Sequence, residues 1–188
     1  MIISIHQPNF FPWYPFFQKM EMSEKFIILT YCQFEKNGFQ NRFNIGDNWH
    51  TMSTYKGLVN INEKKYVNPF NDWGNIKKKL SNYKSILDHF DDCISEDLTL
   101  TNYNIIKKSA NILGIKCDII LDEPTNFTST ERLVKLCETH NGTKYISGIS
   151  GKKYLDLQVF TKNNIEIIYQ DELSMEKIPL LKKLSSIM

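Results

Sequence analysis

The sequence predicts an α/β fold: a mostly parallel, Rossmann-like sheet with helices on both faces and a central insertion. Short apolar runs alternate with helical patterns near both ends of the chain, the order that βαβ units require. That alternation is interrupted in the middle, where polar and glycine-punctuated segments stand instead. The 188 residues, 41% hydrophobic and 23% charged, are ordinary for a globular chain, and the length predicts a single domain over 1–188.

Ile2 to Ile5 is a short strand, apolar on both faces. Pro8, Pro12 and Pro15 then stiffen a turn rich in aromatics, because proline fixes φ and removes a donor. A helix from about Pro15 to Met22 follows, since proline suits a first helical turn. Lys25 to Tyr31 is the next strand, completing a right-handed βαβ unit. Gln33 to Asn48 reads as loop, with strands expected at Trp49 to Met52, at Gly57 to Ile61 and near Tyr66. From Asp72, a plausible N-cap, Trp73, Ile76, Leu80 and Tyr83 fall at helical spacing. Leu98 to Leu113 is a helix closed by Gly114. Ile115 to Leu121 is a strand, and Ser129 to Thr139 a helix capped by Thr128 or Ser129. Lys144 to Ser147, Tyr154 to Thr161 and Ile165 to Tyr169 complete the alternation as strand, helix and strand.

Composition excludes several function classes. The net charge of +2 comes from 23 basic and 21 acidic residues with only short basic runs, so no nucleic-acid partner is expected. No stretch approaches the ~20 apolar residues of a membrane span. Met1 leads straight into a strand without a basic leader, so the expected location is the cytoplasm. Cys32, Cys93, Cys117 and Cys137 form no Cys-x-x-Cys pair, and His50, His89 and His140 lack partners at ligand spacing, so no metal is expected. A Gly-x-Ser-x-Gly elbow and a P-loop are both absent.

Ligands of open parallel sheets bind beyond the carboxyl ends of the strands. Three polar segments are expected there: His6-Gln7-Pro8-Asn9, Gln33, and the turn from Ser147-Gly148 to Gly151 after Tyr145. His6 is the candidate proton-transfer residue, because imidazole titrates near neutrality; the alternative is a histidine that only braces the turn. Gln7 and Asn9 carry amides suited to sugar hydroxyls or a carbonyl, although Asn9 also suits a turn cap. Arg42, beside Gln33 and Asn41, offers a planar fork for phosphate or carboxylate. Ser147-Gly148-x-x-Gly151 has the look of an anion nest at a helix start. Cys32 is a possible nucleophile, or an ordinary buried thiol.

The run Ile5-His6-Gln7-Pro8-Asn9-Phe10-Phe11-Pro12-Trp13, with Phe17-x-Lys19 after it, resembles the opening of the WbqC-like family. Gln33-Phe34-x-Lys36, Gln40-Asn41-Arg42-x-x-Ile45, Leu113-Gly114-Ile115, Arg132-Leu133, Leu136-Cys137 and Tyr145-x-Ser147-Gly148-x-x-Gly151-x-x-Tyr154-Leu155-Asp156 continue the likeness in order, over about residues 1 to 170. The resemblance implies a role in bacterial O-antigen, capsule or other surface-glycan biosynthesis, acting on a nucleotide-linked sugar. Two departures stand out. Tyr31 and Cys32 occupy positions where the family usually has an acidic residue. The family's C-terminal Leu-Ser-x-x-Asp type segment is longer than Leu184-Ser185-Ser186-Ile187-Met188. A more distant likeness, to nucleotidylyl transferases and pantothenate synthetase, lacks the second histidine of their His-x-Gly-His element.

The expected function is therefore acyl or aminoacyl transfer to the amine of a nucleotide-linked amino sugar. His6 is expected to be catalytic, and Gln7, Asn9, Gln33, Asn41, Arg42, Tyr145, Ser147 and Gly148 to bind substrate. The expected donor is an acyl-CoA or acyl-carrier thioester, with ATP the lesser alternative. The expected partner is the nucleotide sugar, and a homo-oligomer is left open. Trp13 and Tyr14 suit stacking on a base or sugar, against a reading as core. The alternatives are a non-catalytic nucleotide-sugar-binding scaffold and an ATP-dependent ligase or nucleotidylyl transferase.

Overall fold

A computed structural model describes residues 1–170 and 177–188. β1 (Ile2–His6), β2 (Lys25–Ile28), β5 (Asp118–Leu121), β6 (Lys144–Ser147) and β7 (Glu166–Tyr169) form one sheet in the order β5-β2-β1-β6-β7. Every pairing in it is parallel, so the five carboxyl ends share one edge. β3 (Arg42–Ile45) and β4 (Asn48–Thr51) form a separate antiparallel hairpin in the insertion.

Side-chain alternation sorts the strands onto two faces. Phe26 and Ile28 of β2 pack with Phe16, Phe17 and Met20 of α1 (Tyr14–Glu21). The same cluster takes in the insertion's α2 (Pro69–Lys79), α3 (Lys84–Asp88) and α4 (Leu98–Ile112). Ile3, Ile5 and Ile27 point the other way, onto Leu133, Val134 and Cys137 of α5 (Ser129–Thr139) and Phe160 of α6 (Leu157–Lys162). α7 (Leu180–Leu184) returns to the first face through Leu180, Leu181 and Leu184. Helices thus cover both faces, the Rossmann-like α/β arrangement that the alternation predicts.

The insertion departs from expectation in four places, the first being the strand expected near Tyr66, which is reduced to the single bridges Thr54–Tyr66 and Lys65–Asp97. The segment expected as loop from Gln33 to Asn48 contains β3, which buries Phe43 and turns into β4 through Gly46-Asp47, with Gly46 at φ 58°. Gly57 to Ile61 is not a strand. Gly57 stands at φ 130° and Leu58 is 87% exposed, so the segment makes only the Gln33–Asn60 bridge before a 3-10 turn at Ile61–Glu63. Asp72 does not cap the helix: Pro69 starts α2, and the Asp72 carboxylate accepts from the Ser53 amide at 2.7 Å. Two other caps are side-chain bonds, from Leu100 N–H to Asp97 and from Gln158 N–H to Asp156.

Candidate functional site

The chain runs outward from β1 to β2 and β5, then returns to the other side of β1 with β6 and β7. The connections on either side of this reversal lie on opposite faces, which opens a crevice between the carboxyl ends of β1 and β6. A cavity of about 390 Å³ lies at this reversal, lined by residues that include His6, Asn9, Trp13, Lys19, Gly148 and Gln170. Pro8 stops β1 from continuing, and the following turn folds back over the strand end. Phe11 in that turn takes φ 46°, and its ring is held by stacking on Trp73 at 5.5 Å and edge contact with Phe90. The insertion supplies the outer wall: Phe39 and Trp49 at 5.6 Å from each other, and Asn44, whose Oδ1 accepts from Trp13 Nε1 at 3.0 Å.

His6 lies at the floor, with its ring edge-on to Phe16. Its Nδ1 is 2.9 Å from the Gln7 carbonyl. A carbonyl only accepts, so Nδ1 carries the proton and Nε2 is the bare nitrogen. Burial, and then the nearby Lys19 charge, lowers the imidazole to about 4 against the opposing bond to Gln7. At neutral pH His6 is therefore an uncharged acceptor. Lys19 is 3% exposed and donates from Nζ to the Ile5 carbonyl at 3.0 Å. Its ammonium also sits over the Phe26 ring, and desolvation lowers it to about 7.

The sequence-predicted residues divide. His6, Asn9 and Gly148 line the cavity. The Asn9 amide makes no hydrogen bond among the described residues, so it is available to a ligand. Gln7 is engaged elsewhere, donating to Cys32 Sγ and accepting from Gln40 Nε2 at 2.6 Å. Asn41 donates to the Met52 carbonyl. Arg42 stacks its guanidinium on the cavity residue Trp49 at 4.1 Å and donates to the Gly38 and Asn37 carbonyls. Gln33 lines a different concavity of about 580 Å³, between the 33–36 and 54–64 segments. Tyr145 is buried against Phe160 on the opposite face of the sheet. Ser147 is buried, donating to the Gly148 carbonyl, and the segment after it is a short 3-10 turn, Ile149–Lys153. The expected anion nest at the start of a helix is therefore not formed: one 3-10 turn has little aligned dipole. Cys32 is raised in pKa chiefly by burial, which disfavours the thiolate a nucleophile needs.

Lys19, Phe39, Asn44, Trp49 and Gln170 escaped the sequence reading as site residues. Lys19 carried a usable signal: it falls on the apolar face of α1, with Phe16 and Met20, where a charged residue needs a reason. The other four reach the cavity from the insertion and from the end of β7, and local pattern does not report such long-range placement. Among the described residues no cluster of three or more His, Cys, Asp or Glu is placed to hold a metal, and no helix is long and apolar enough to cross a membrane.

The uncharacterized protein Rv1507c of Mycobacterium tuberculosis is 26% identical over 188 aligned residues, covering 90% of this chain and 81% of that protein. No solved structure matches the chain. The model of the WbqC-like protein family matches residues 7–177, from the turn after His6 to beyond β7. By that match over most of its length, the chain belongs to the WbqC-like protein family.

Proposed function

We propose that this protein is an enzyme of bacterial surface-polysaccharide biosynthesis that transfers an acyl group to the amine of a nucleotide-linked amino sugar. The observation that carries this reading is the pairing, in one cavity at the sheet's reversal point, of an unprotonated His6 with an Asn9 amide that has no partner among the described residues. An attacking amine must lose a proton as it bonds to carbon, and the bare Nε2 of His6 accepts it. The new N–C bond forms as the thioester C–S bond breaks, and the proton leaves with the thiolate of an acyl-CoA or acyl-carrier donor. Asn9 orients the acyl oxygen or a sugar hydroxyl. Trp13, Phe39 and Trp49 offer ring faces to a base or sugar, and Arg42, stacked on Trp49, is assigned the phosphates. Gln7, Gln33, Asn41, Tyr145 and Ser147 support the turns and strand ends that hold these groups. The family resemblance of the His6-to-Trp13 run adds the surface-glycan context.

The test is incubation with nucleotide-linked amino sugars and acyl-CoAs, with product masses read by liquid chromatography and mass spectrometry. Amide formation by the wild type and its loss in His6→Ala is the expected result. Full turnover by His6→Ala overturns the assigned base. The exposed aromatics at the mouth favour a second reading, binding without turnover, which a nucleotide-sugar thermal shift with no product in any pairing would support.

A further inference from the structure

Lys19 and Lys64 are the two buried lysines among the described residues, and of the two only Lys19 shares its cavity with a histidine. Lys25, Lys77, Lys84, Lys108, Lys135 and Lys144 each pair with a carboxylate within 4.0 Å. Lys19 pairs with none among the described residues. Its one hydrogen bond goes to a neutral carbonyl, its ammonium lies over the Phe26 ring, and Phe16 lines the same cavity. It is nevertheless part of the cavity wall. Among the described residues, the only other titratable one lining that cavity is His6, which is uncharged at neutral pH. Beyond the Ile5 carbonyl and the Phe26 ring, no described residue there stabilises an ammonium, and a neutral amine keeps the carbonyl bond with one N–H while freeing its lone pair.

We propose that Lys19 is a nucleophilic amine that takes a small aldehyde or ketone into this cavity as a reversible imine. The Nζ lone pair attacks the carbonyl carbon, and one Nζ proton passes to the carbonyl oxygen, giving a carbinolamine. Loss of water, carrying away that oxygen and the second Nζ proton, leaves the C=N bond, with no change in oxidation state. His6 Nε2 is placed in the same cavity to accept and return the proton during dehydration. The lowered proton affinity of Lys19 fits this role, since a desolvated lysine is the usual form of an imine-forming residue. The proposal does not rest on the acyl-transfer reading and needs no nucleotide sugar.

The experiment is reductive trapping on the full chain. The protein is incubated at pH 7 with pyridoxal or, as a smaller probe, propanal; sodium borohydride then fixes any imine as a secondary amine, and modified peptides are mapped by mass spectrometry. Lys19 is expected to be trapped at least about tenfold faster than any exposed lysine, with trapping falling as the pH is lowered from 7 to 5. Lys19→Met is expected to lose that adduct alone. Because the site is mapped in the wild type, the result stands even if a variant folds poorly. Trapping confined to exposed lysines with both probes overturns the proposal. Failure of the acyl-transfer assay leaves this result untouched, and failure of trapping leaves that assay untouched.

Discussion

The side-chain amide of Asn102 donates to the Pro8 carbonyl at 2.8 Å, across 94 residues of sequence. It also donates to the Gln40 carbonyl at 2.7 Å, while its Oδ1 accepts from the Tyr66 hydroxyl at 3.3 Å. One buried residue of α4 therefore joins the turn after His6 to the insertion that walls the cavity. Asn102→Leu strands both carbonyls in the interior, at an expected cost of about 3 kcal/mol. Urea unfolding measures it. A loss below about 1 kcal/mol would mean the turn is held by packing alone.

Lys19 makes stability depend on pH. Its folded value of about 7 lies below the ordinary lysine value of 10.5, so between those pH values the unfolded chain binds more protons than the folded one. Stability contributed through Lys19 therefore rises with pH across that window, by up to ~1.4 kcal/mol per pH unit. His6 adds the same sign lower down: with a folded value near 4 against 6.5, stability is lost as the pH falls from 6.5 towards 4. Lys19→Met, which removes a buried amine, is expected to raise the melting temperature at pH 7 and to flatten the dependence between pH 7 and 10. Scanning calorimetry across that range checks it, and an unchanged slope would sink the linkage.

Gly151 lies where a side chain has no room. A Cβ there meets Ser147 Oγ at 2.0 Å and Leu155 Cδ1 at 3.0 Å. Gly151→Ala is expected to destabilise by about 2 kcal/mol through overpacking. Ser147→Ala, by removing the nearest atom, is expected to recover much of that loss in the double variant. A double-mutant cycle by chemical denaturation tests the coupling, and strict additivity would show that the two do not compete for space.

Trp49 is 44% exposed at the cavity mouth and carries Arg42 on its ring. Trp49→Ala is expected to leave the melting temperature within ~1–2 °C of wild type while weakening nucleotide-sugar binding by about tenfold. Isothermal titration separates the effects. Unchanged affinity would move the ligand away from the insertion wall.

Much of this architecture is legible in the sequence because it is written locally. Ile2 to Ile5 and Phe26 to Ile28 place apolar residues on both faces, as buried parallel strands require, and Pro15 and Gly114 mark a helix start and a helix end. The insertion is less legible. β3 has a single buried apolar residue, Phe43, and β4 places His50 rather than an aliphatic residue on its buried side, so neither shows a clear period of two. Strand limits also shifted: β2 ends at Ile28 and β5 begins at Asp118, because hydrogen-bonded register and not apolar content ends a strand.

By itself the sequence determined the alternating α/β order, the proline-stiffened turn after His6 and the family to which the chain belongs. Periodicity, proline and an ordered set of motifs are properties of neighbouring residues, and they survive without coordinates. Only the tertiary structure decided which polar residues share a cavity. It brought Asn44 and Trp49 from the insertion, Lys19 from α1 and Gln170 from the end of β7 to His6, while turning Tyr145 to the opposite face and Gln33 to another concavity. The physical reason is that a site at a sheet's reversal point is assembled by strand order and by the face on which each side chain falls. Both are set by packing between segments far apart in the chain.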